Sequence, residues 1–146
     1  MKTILSAAFG LALLAVPALA HDGISIQDPY VRAMGASAKS GAVFFTIENH
    51  SDQPDRLIGA STDVSDKAEL HTHKMDDKGM MQMLEVKEGF EIPAGGTHKL
   101  ARGGDHVMLF GLNKTLGEGD NVHVTLTFEH AGEVEFDAPV DNNRMK

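Results

Sequence analysis

Short segments in which apolar and polar positions alternate constrain the fold of this chain more than any other feature. Every second residue is apolar in residues 43–48 and again in residues 122–129. An alternation of period two places successive side chains on opposite faces of a β-strand. Turn signals rich in Gly, Asn and Asp separate such segments, and no long amphipathic helix pattern occurs. The sequence therefore predicts an all-β protein, a single-domain Greek-key β-sandwich. Further predicted strands cover residues 24–26, 30–33, 67–73, 81–86, 97–100, 107–110 and 133–138.

The first twenty residues are typical of a secretory signal peptide. Lys2 supplies a positive charge, residues 4–16 are mostly apolar, and Ala18-Leu19-Ala20 forms a small-residue cleavage site. This apolar run is too short to span a bilayer. We expect cleavage after Ala20, a periplasmic location and a mature domain over residues 21–146 that does not insert into a membrane.

Composition excludes several classes of function. The net charge of −8 argues against nucleic acid and anionic membranes as partners. The chain has no cysteine, which excludes blue-copper His₂Cys sites, cysteine-based zinc sites and CxxC redox pairs. No Ser-His-Asp order, phosphate-binding loop or convincing carboxylate pair is found, so we expect a carrier or binding protein and not an enzyme.

Methionine and histidine cluster in one part of the chain. Methionine is usually a flexible filler of cores, so the positions of these residues matter more than their number. The cluster contains Met75, Met80, Met81, Met83 and Met108, together with His71, His73, His98 and His106.

A β-hairpin would bring half of this cluster together. A hairpin centred on Asp77 places His71 opposite Met83 and His73 opposite Met81. Residues directly opposite in an antiparallel pair have Cβ atoms roughly 4.5–5.5 Å apart. Strand periodicity also puts all four side chains on one face. A register shifted by two would make Met81 the ligand in place of Met83.

The segment His106-Val107-Met108 supplies the second half. Residues i and i+2 of a strand share a face, so His106 and Met108 point the same way, and Gly103-Gly104 allows the chain to turn just before them. Brought beside the hairpin, the segment completes a site with two imidazoles and two thioethers. Soft thioether sulfur favours Cu(I), and we expect one ion. The predicted ligands are His71, Met83, His106 and Met108.

Other histidines have weaker signals. His73 is either an auxiliary ligand or an exposed strand residue. His21 would be the first residue after cleavage, where its amine and imidazole could chelate Cu(II) at a second site, although a frayed terminus is the simpler interpretation. We expect His98, His123 and His130 to be surface residues.

The spacing of these motifs resembles the periplasmic copper chaperones of the PCuAC type. The resemblance covers nearly the whole mature chain, although two motif spacings are each one residue longer than the family pattern. The matching segments are Ala68-Glu69-Leu70-His71-Thr72-His73, Met81-Gln82-Met83, Ile92-Pro93-Ala94-Gly95-Gly96-Thr97 and Gly103-Gly104-Asp105-His106-Val107-Met108-Leu109. Residues 41–49, 55–57 and 122–140 also resemble the family.

This resemblance implies a cupredoxin-like β-sandwich that binds Cu(I). It also implies delivery of copper to the copper A centre of cytochrome c oxidase. The implied partners are subunit II of that oxidase, a thioredoxin-like copper assembly factor, or both. Two alternatives stay open: a periplasmic copper buffer or resistance protein without a dedicated acceptor, and a Cu(II) oxidative enzyme that uses His21.

Overall fold

The computed structural model describes residues 20–21, 23–33 and 37–144, and in these ranges the chain forms eleven strands and no helix. Among the described residues no helix is therefore able to cross a membrane. The strands are β1 (Ala20–His21), β2 (Ile24–Ala33), β3 (Ser40–Asn49), β4 (Asp55–Thr62), β5 (Ser65–Met75), β6 (Met81–Glu85), β7 (Phe90–Ile92), β8 (Thr97–Leu100), β9 (His106–Leu112), β10 (Asn121–Phe128) and β11 (Gly132–Pro139).

The strands form two sheets that pack face to face. The larger sheet has the order β1-β2-β3-β9-β5-β6. β8 and β9 pair with the same edge of β3, β9 with residues 40–43 and β8 with residues 45–48. The smaller sheet has the order β11-β10-β4-β7. The chain crosses between the sheets after β3, β4, β6, β7 and β9. The predicted all-β, single-domain sandwich is confirmed.

Alternating side chains of both sheets form the core. Val43, Phe45 and Ile47 of β3 are buried, as are Val124 and Leu126 of β10. Burying one such side chain contributes roughly 1.5–3 kcal/mol relative to leaving it in water. The opposite face of the larger sheet is left free to carry other chemistry.

Two strands of the smaller sheet were not predicted from the sequence. Asp55–Thr62 shows little alternation, and Phe90–Ile92 is only three residues long. The two segments pair with each other, so each is stabilised by a partner distant in sequence. In the larger sheet, the two predicted segments at residues 24–26 and 30–33 form one strand with an irregularity between Gln27 and Tyr30.

The turn of the β5–β6 hairpin differs from the prediction. The loop contains Asp77, Lys78 and Gly79, and the Asp76 N–H donates to the Met80 carbonyl at 2.8 Å to close it. Gly79 has φ 79°, a left-handed conformation that favours glycine at the third position of a three-residue loop. The hairpin is therefore centred on Lys78, and the predicted centre at Asp77 is wrong.

The corrected centre changes which residues face each other. The predicted pairs His71–Met83 and His73–Met81 do not form. The observed register is shifted by two residues from the predicted one, in the direction that moves Met81 away from His71. The prediction that the two histidines and the two methionines share one face is nevertheless confirmed, because odd-numbered residues of β5 still oppose odd-numbered residues of β6. The observed pairs are His71 with Glu85, His73 with Met83, and Met75 with Met81.

The predicted signal peptide, residues 1–20, falls almost entirely outside the described residues, and so does the side chain of His21. The expected cleavage and the expected Cu(II) site at His21 therefore stay predictions.

Candidate metal centre

Three neighbouring strands bring the predicted ligands to one end of the larger sheet. β9 supplies His106 and Met108, β5 supplies His71, and β6 supplies Met83. His71 lies directly opposite His106 in the β5–β9 pair. The side chains lie on the face turned away from the core, because Val107 between the two β9 residues is fully buried in it.

His106 is the innermost of these side chains. It is 2% exposed, and the rings of His73, His71 and Phe44 surround it with centroid distances of 5.1, 5.9 and 6.1 Å. Burial is the largest cause that lowers the pKa of His106, and the nearby His73 and His71 lower it further. The imidazole is therefore neutral at neutral pH, which is the form that binds a metal.

One backbone carbonyl orients two imidazoles. The Nδ1 atoms of His73 and His106 each lie 3.1 Å from the Gly104 carbonyl oxygen. A carbonyl only accepts, so both Nδ1–H groups donate, and the Nε2 lone pairs stay free. Such a hydrogen bond fixes the tautomer and ring orientation of a ligand histidine.

A side-chain pair anchors the loop that carries this carbonyl. Asp105 lies 2.8 Å from Nε2 of His98, whose ring stacks on Phe90 with centroids 5.0 Å apart. The side chain of His98, predicted to be a surface residue, is 25% exposed and therefore only partly open to solvent. His123 and His130 are exposed, as predicted.

One ring nitrogen of His71 has no hydrogen-bond partner in the described part of the chain. The residue is 8% exposed, and its Nε2–H donates to Glu69 at 2.8 Å. This hydrogen bond, followed by that from Lys67, lowers the pKa of Glu69, so the acceptor is a carboxylate. Nδ1 of His71 is buried and has no hydrogen-bond partner among the described residues. Leaving a buried polar atom unpaired costs about 1–3 kcal/mol, which a bound metal would offset.

An open cavity of about 270 Å³ lies over these side chains. Of the four predicted ligands, three line it, and His73 lines it as well, whereas His71 lies beside it. Met81 is not part of the lining. The lining residues are Arg32, Ser40, Gly41, Ala42, Phe44, His73, Met83, Arg102, Gly103, His106 and Met108.

The donor set determines which metal the centre suits. The lining offers imidazole nitrogen and thioether sulfur but no carboxylate. In the part of the chain that the structure describes, His, Cys, Asp and Glu side chains form no group of three or more that could hold a metal. Thioethers are soft ligands that favour Cu(I), and imidazole accepts it. The residues present therefore fit a Cu(I) ion.

Comparisons with known proteins place the chain in a family. Residues 24–140 match the family described as putative lipoprotein LpqE-like. The putative lipoprotein Lxx21020 of Leifsonia xyli subsp. xyli is 33% identical over 124 residues, which cover 85% of this chain and 73% of that protein.

Two solved structures extend this agreement. The copper-bound PCuAC domain from PmoF2 is 29% identical with a TM-score of 0.69, covering 84% of this chain and 95% of that one. The solution structure of the Cu(I) form of DR1885 from Deinococcus radiodurans is 35% identical with a TM-score of 0.64, covering 87% and 82%. The resemblance to PCuAC domains is thus confirmed, and the chain belongs to the LpqE-like family.

Proposed function

We propose that this protein is an exported carrier of one Cu(I) ion. The observation that carries the proposal is the convergence of Met83 and Met108 with the neutral imidazole of His106 on an open cavity without carboxylates. Neutral nitrogen and sulfur donors do not neutralise the positive charge of the bound ion, so we expect it to bind reversibly. The copper-bound structures of similar PCuAC domains support the same cargo.

The fourth ligand in this proposal is His71. Its Nδ1 is buried and unpaired, and Glu69 holds the opposite nitrogen, an arrangement that orients a metal-binding imidazole. His73 lines the cavity and lies directly opposite Met83, and we assign it the role of an auxiliary ligand that meets the ion first. Replacing His71 with Gln should therefore weaken Cu(I) binding more than replacing His73 with Gln, and the reverse order would exchange the two roles.

The exposure of the ligands suits a carrier. His106 is 2% exposed, whereas Met83 is 47% exposed and lies on β6, whose side chains are all exposed. The ligands of an acceptor can approach the ion from this side and displace the thioether of Met83 before the imidazoles release. We propose that copper leaves in this way, and that no chemical reaction is catalysed at the site.

The proposed destination is the copper A centre of cytochrome c oxidase. The acceptor would be subunit II of the oxidase, with or without a thioredoxin-like copper assembly factor. The support for this destination is the PCuAC-like motif spacing. The signal-like residues 1–20 and a family described as lipoproteins support export, and we propose the periplasm as the compartment.

A competition titration of the mature protein with Cu(I) and a chromophoric chelator tests the carrier proposal. Met83→Leu keeps the size of the side chain but removes the sulfur, and we expect it to weaken binding of one tight equivalent by more than about tenfold. Met80→Leu is the matched control, because Met80 is exposed and does not line the cavity. Absence of a tight equivalent in the wild-type protein would contradict the proposal.

A transfer assay tests the destination separately. The copper-loaded protein is mixed with a purified copper A domain, and the absorption of the mature centre is followed. Transfer supports delivery. Tight copper binding without transfer would instead support a periplasmic copper buffer.

A further inference from the structure

Two exposed methionines extend the ligand face beyond the proposed site. Met75 and Met81 are 62% and 53% exposed, and they oppose each other at the outer end of the β5–β6 hairpin. We propose that these two thioethers form a second, outer Cu(I) site, and that Met83 passes the ion between this site and the inner one. This inference rests on the proposed function, since it supplies the inner site with its ion.

The backbone pairing places the two methionines close together. The Asp76 N–H donates to the Met80 carbonyl at 2.8 Å, and the Val86 N–H donates to the Leu70 carbonyl at 2.8 Å. The backbone N–H and C=O groups of even-numbered β5 residues therefore point toward β6, whereas those of odd-numbered residues such as Met75 point away from it. The Met75–Met81 pair belongs to the alternate, non-hydrogen-bonded class, in which Cα atoms are roughly 4.5 Å apart and side chains approach most closely.

The pair lies on the face that leads into the cavity. Met75 is two residues beyond His73, and Met81 is two residues before Met83, so all four side chains leave the sheet on the same side. Met75 and Met83 are diagonal neighbours, at a spacing of roughly 7–8 Å that long side chains can bridge. Met83 also lines the cavity with His106, and it can therefore serve both sites.

The exposed fraction falls steadily along this path. It is 62% at Met75, 53% at Met81, 47% at Met83 and 2% at His106. Exposed thioethers are flexible, soft ligands that can rearrange around a Cu(I) ion at little cost. An ion that meets the exposed pair would thus move inward by exchange of one ligand at a time.

The transfer step is a ligand exchange and nothing else. The ion first gains a bond to the sulfur atom of Met83. Bonds to the sulfur atoms of Met75 and Met81 then break as bonds to His71, His106 and Met108 form, while Met83 stays bound. Copper remains Cu(I), and no electron is transferred. The ion binds the ring nitrogens that do not donate a hydrogen bond, which are Nε2 of His106 and Nδ1 of His71.

A nearby methionine provides a matched control. Met80 is 64% exposed, but it pairs with Asp76 at the turn and lies one residue before Met81, on the opposite face. Gln82 marks that opposite face, since its amide donates to the Asp76 carboxylate at 3.1 Å. Met80 therefore shares the exposure of the proposed outer ligands without sharing their position.

The test is a titration of the whole mature protein with Cu(I), in which NMR of ¹³C-labelled methionine methyl groups detects binding at each addition. In the wild-type protein the first equivalent should shift the Met83 and Met108 signals, and the second should shift those of Met75 and Met81. The double substitution Met75→Leu/Met81→Leu should abolish the second equivalent. It should also slow copper uptake from a chelator, with the affinity of the first equivalent unchanged. Met80→Leu should behave like the wild type.

The outcomes separate this inference from the function on which it rests. A double variant that retains the second equivalent and the uptake rate would overturn the outer site and leave the carrier proposal standing. If the wild-type protein binds no tight first equivalent of Cu(I), the carrier proposal is overturned, and the transfer from the outer to the inner site falls with it.

Discussion

The outer faces of the two sheets both carry a histidine on an antiparallel strand, yet the two residues have opposite properties. His106 on the larger sheet is 2% exposed, and its pKa is lowered by burial. His123 on the smaller sheet has a side chain that is 51% exposed, and the hydrogen bonds to Asp137 and then Glu135 raise its pKa. A strand histidine becomes a candidate ligand for a soft metal when aromatic rings cover it. Neighbouring carboxylates instead make it a partner in ion pairs.

The largest expected difference between the two faces is in Cu(I) affinity after each histidine is replaced in turn. His106→Gln should weaken Cu(I) binding by more than about 100-fold, because a direct ligand contributes more than an outer-shell partner does. His123→Gln should leave the affinity unchanged. Competition titration of both variants against one chelator measures the difference, and equal affinities would remove the distinction between the two faces.

An intermediate effect is expected from the carboxylates that pair with histidine on each face. Asp105 lies 2.8 Å from His98, and Asp137 lies 2.8 Å from His123. Asp105→Asn should loosen the loop that carries the Gly104 carbonyl and weaken Cu(I) binding by about tenfold, the usual scale for an outer-shell partner. Asp137→Asn should have no effect on copper. A similar loss of affinity in both variants would mean that general surface charge, and not the loop, matters.

The smallest effect concerns the pH dependence of the apo protein. The lowered pKa of His106 gives stability that is complete above about pH 6.5 and is lost as the pH falls through that lowered value. The raised pKa of His123 gives stability that is complete below about pH 6.5 and is lost as the pH rises through that raised value. The exposed pair should contribute less than about 1 kcal/mol.

NMR titration of the two imidazole rings measures both values directly. His106 should titrate below, and His123 above, the midpoint of a histidine in an unfolded peptide. Urea unfolding of His123→Gln at pH 5 and pH 8 should show a smaller stability difference from the wild type at the higher pH. Identical midpoints for the two rings would contradict the comparison.

Much of the larger sheet could be predicted from alternation, because residues that alternate bury one face whatever their partners are. The shared face of His106 and Met108 follows from this local rule. The hairpin register does not. It depends on whether Gly79 is the last residue of the loop, as observed, or the first residue after it, as a centre at Asp77 requires, and both positions accept a glycine.

The surroundings of the site lie beyond what sequence spacing can show. The Gly104 carbonyl that orients two imidazoles has no side chain to identify it. His98 has the pattern of a surface residue, and only its stacking on Phe90 and its pairing with Asp105 show that it supports the loop. Similarly, β7 is defined by its pairing with β4, and β4 by its pairing with β7 and β10, and not by their own residues.

The position of β6 at the edge of its sheet has a consequence for dynamics. Its side chains are all exposed, and within the described residues it pairs only with β5. Such a hairpin can open locally at a free energy well below that of global unfolding. A ligand that bridges Met83 to His106 would tie this strand to the rest of the sheet. Amide hydrogen exchange in residues 81–85 should therefore slow on copper loading, and the edge strand would itself report whether copper is bound.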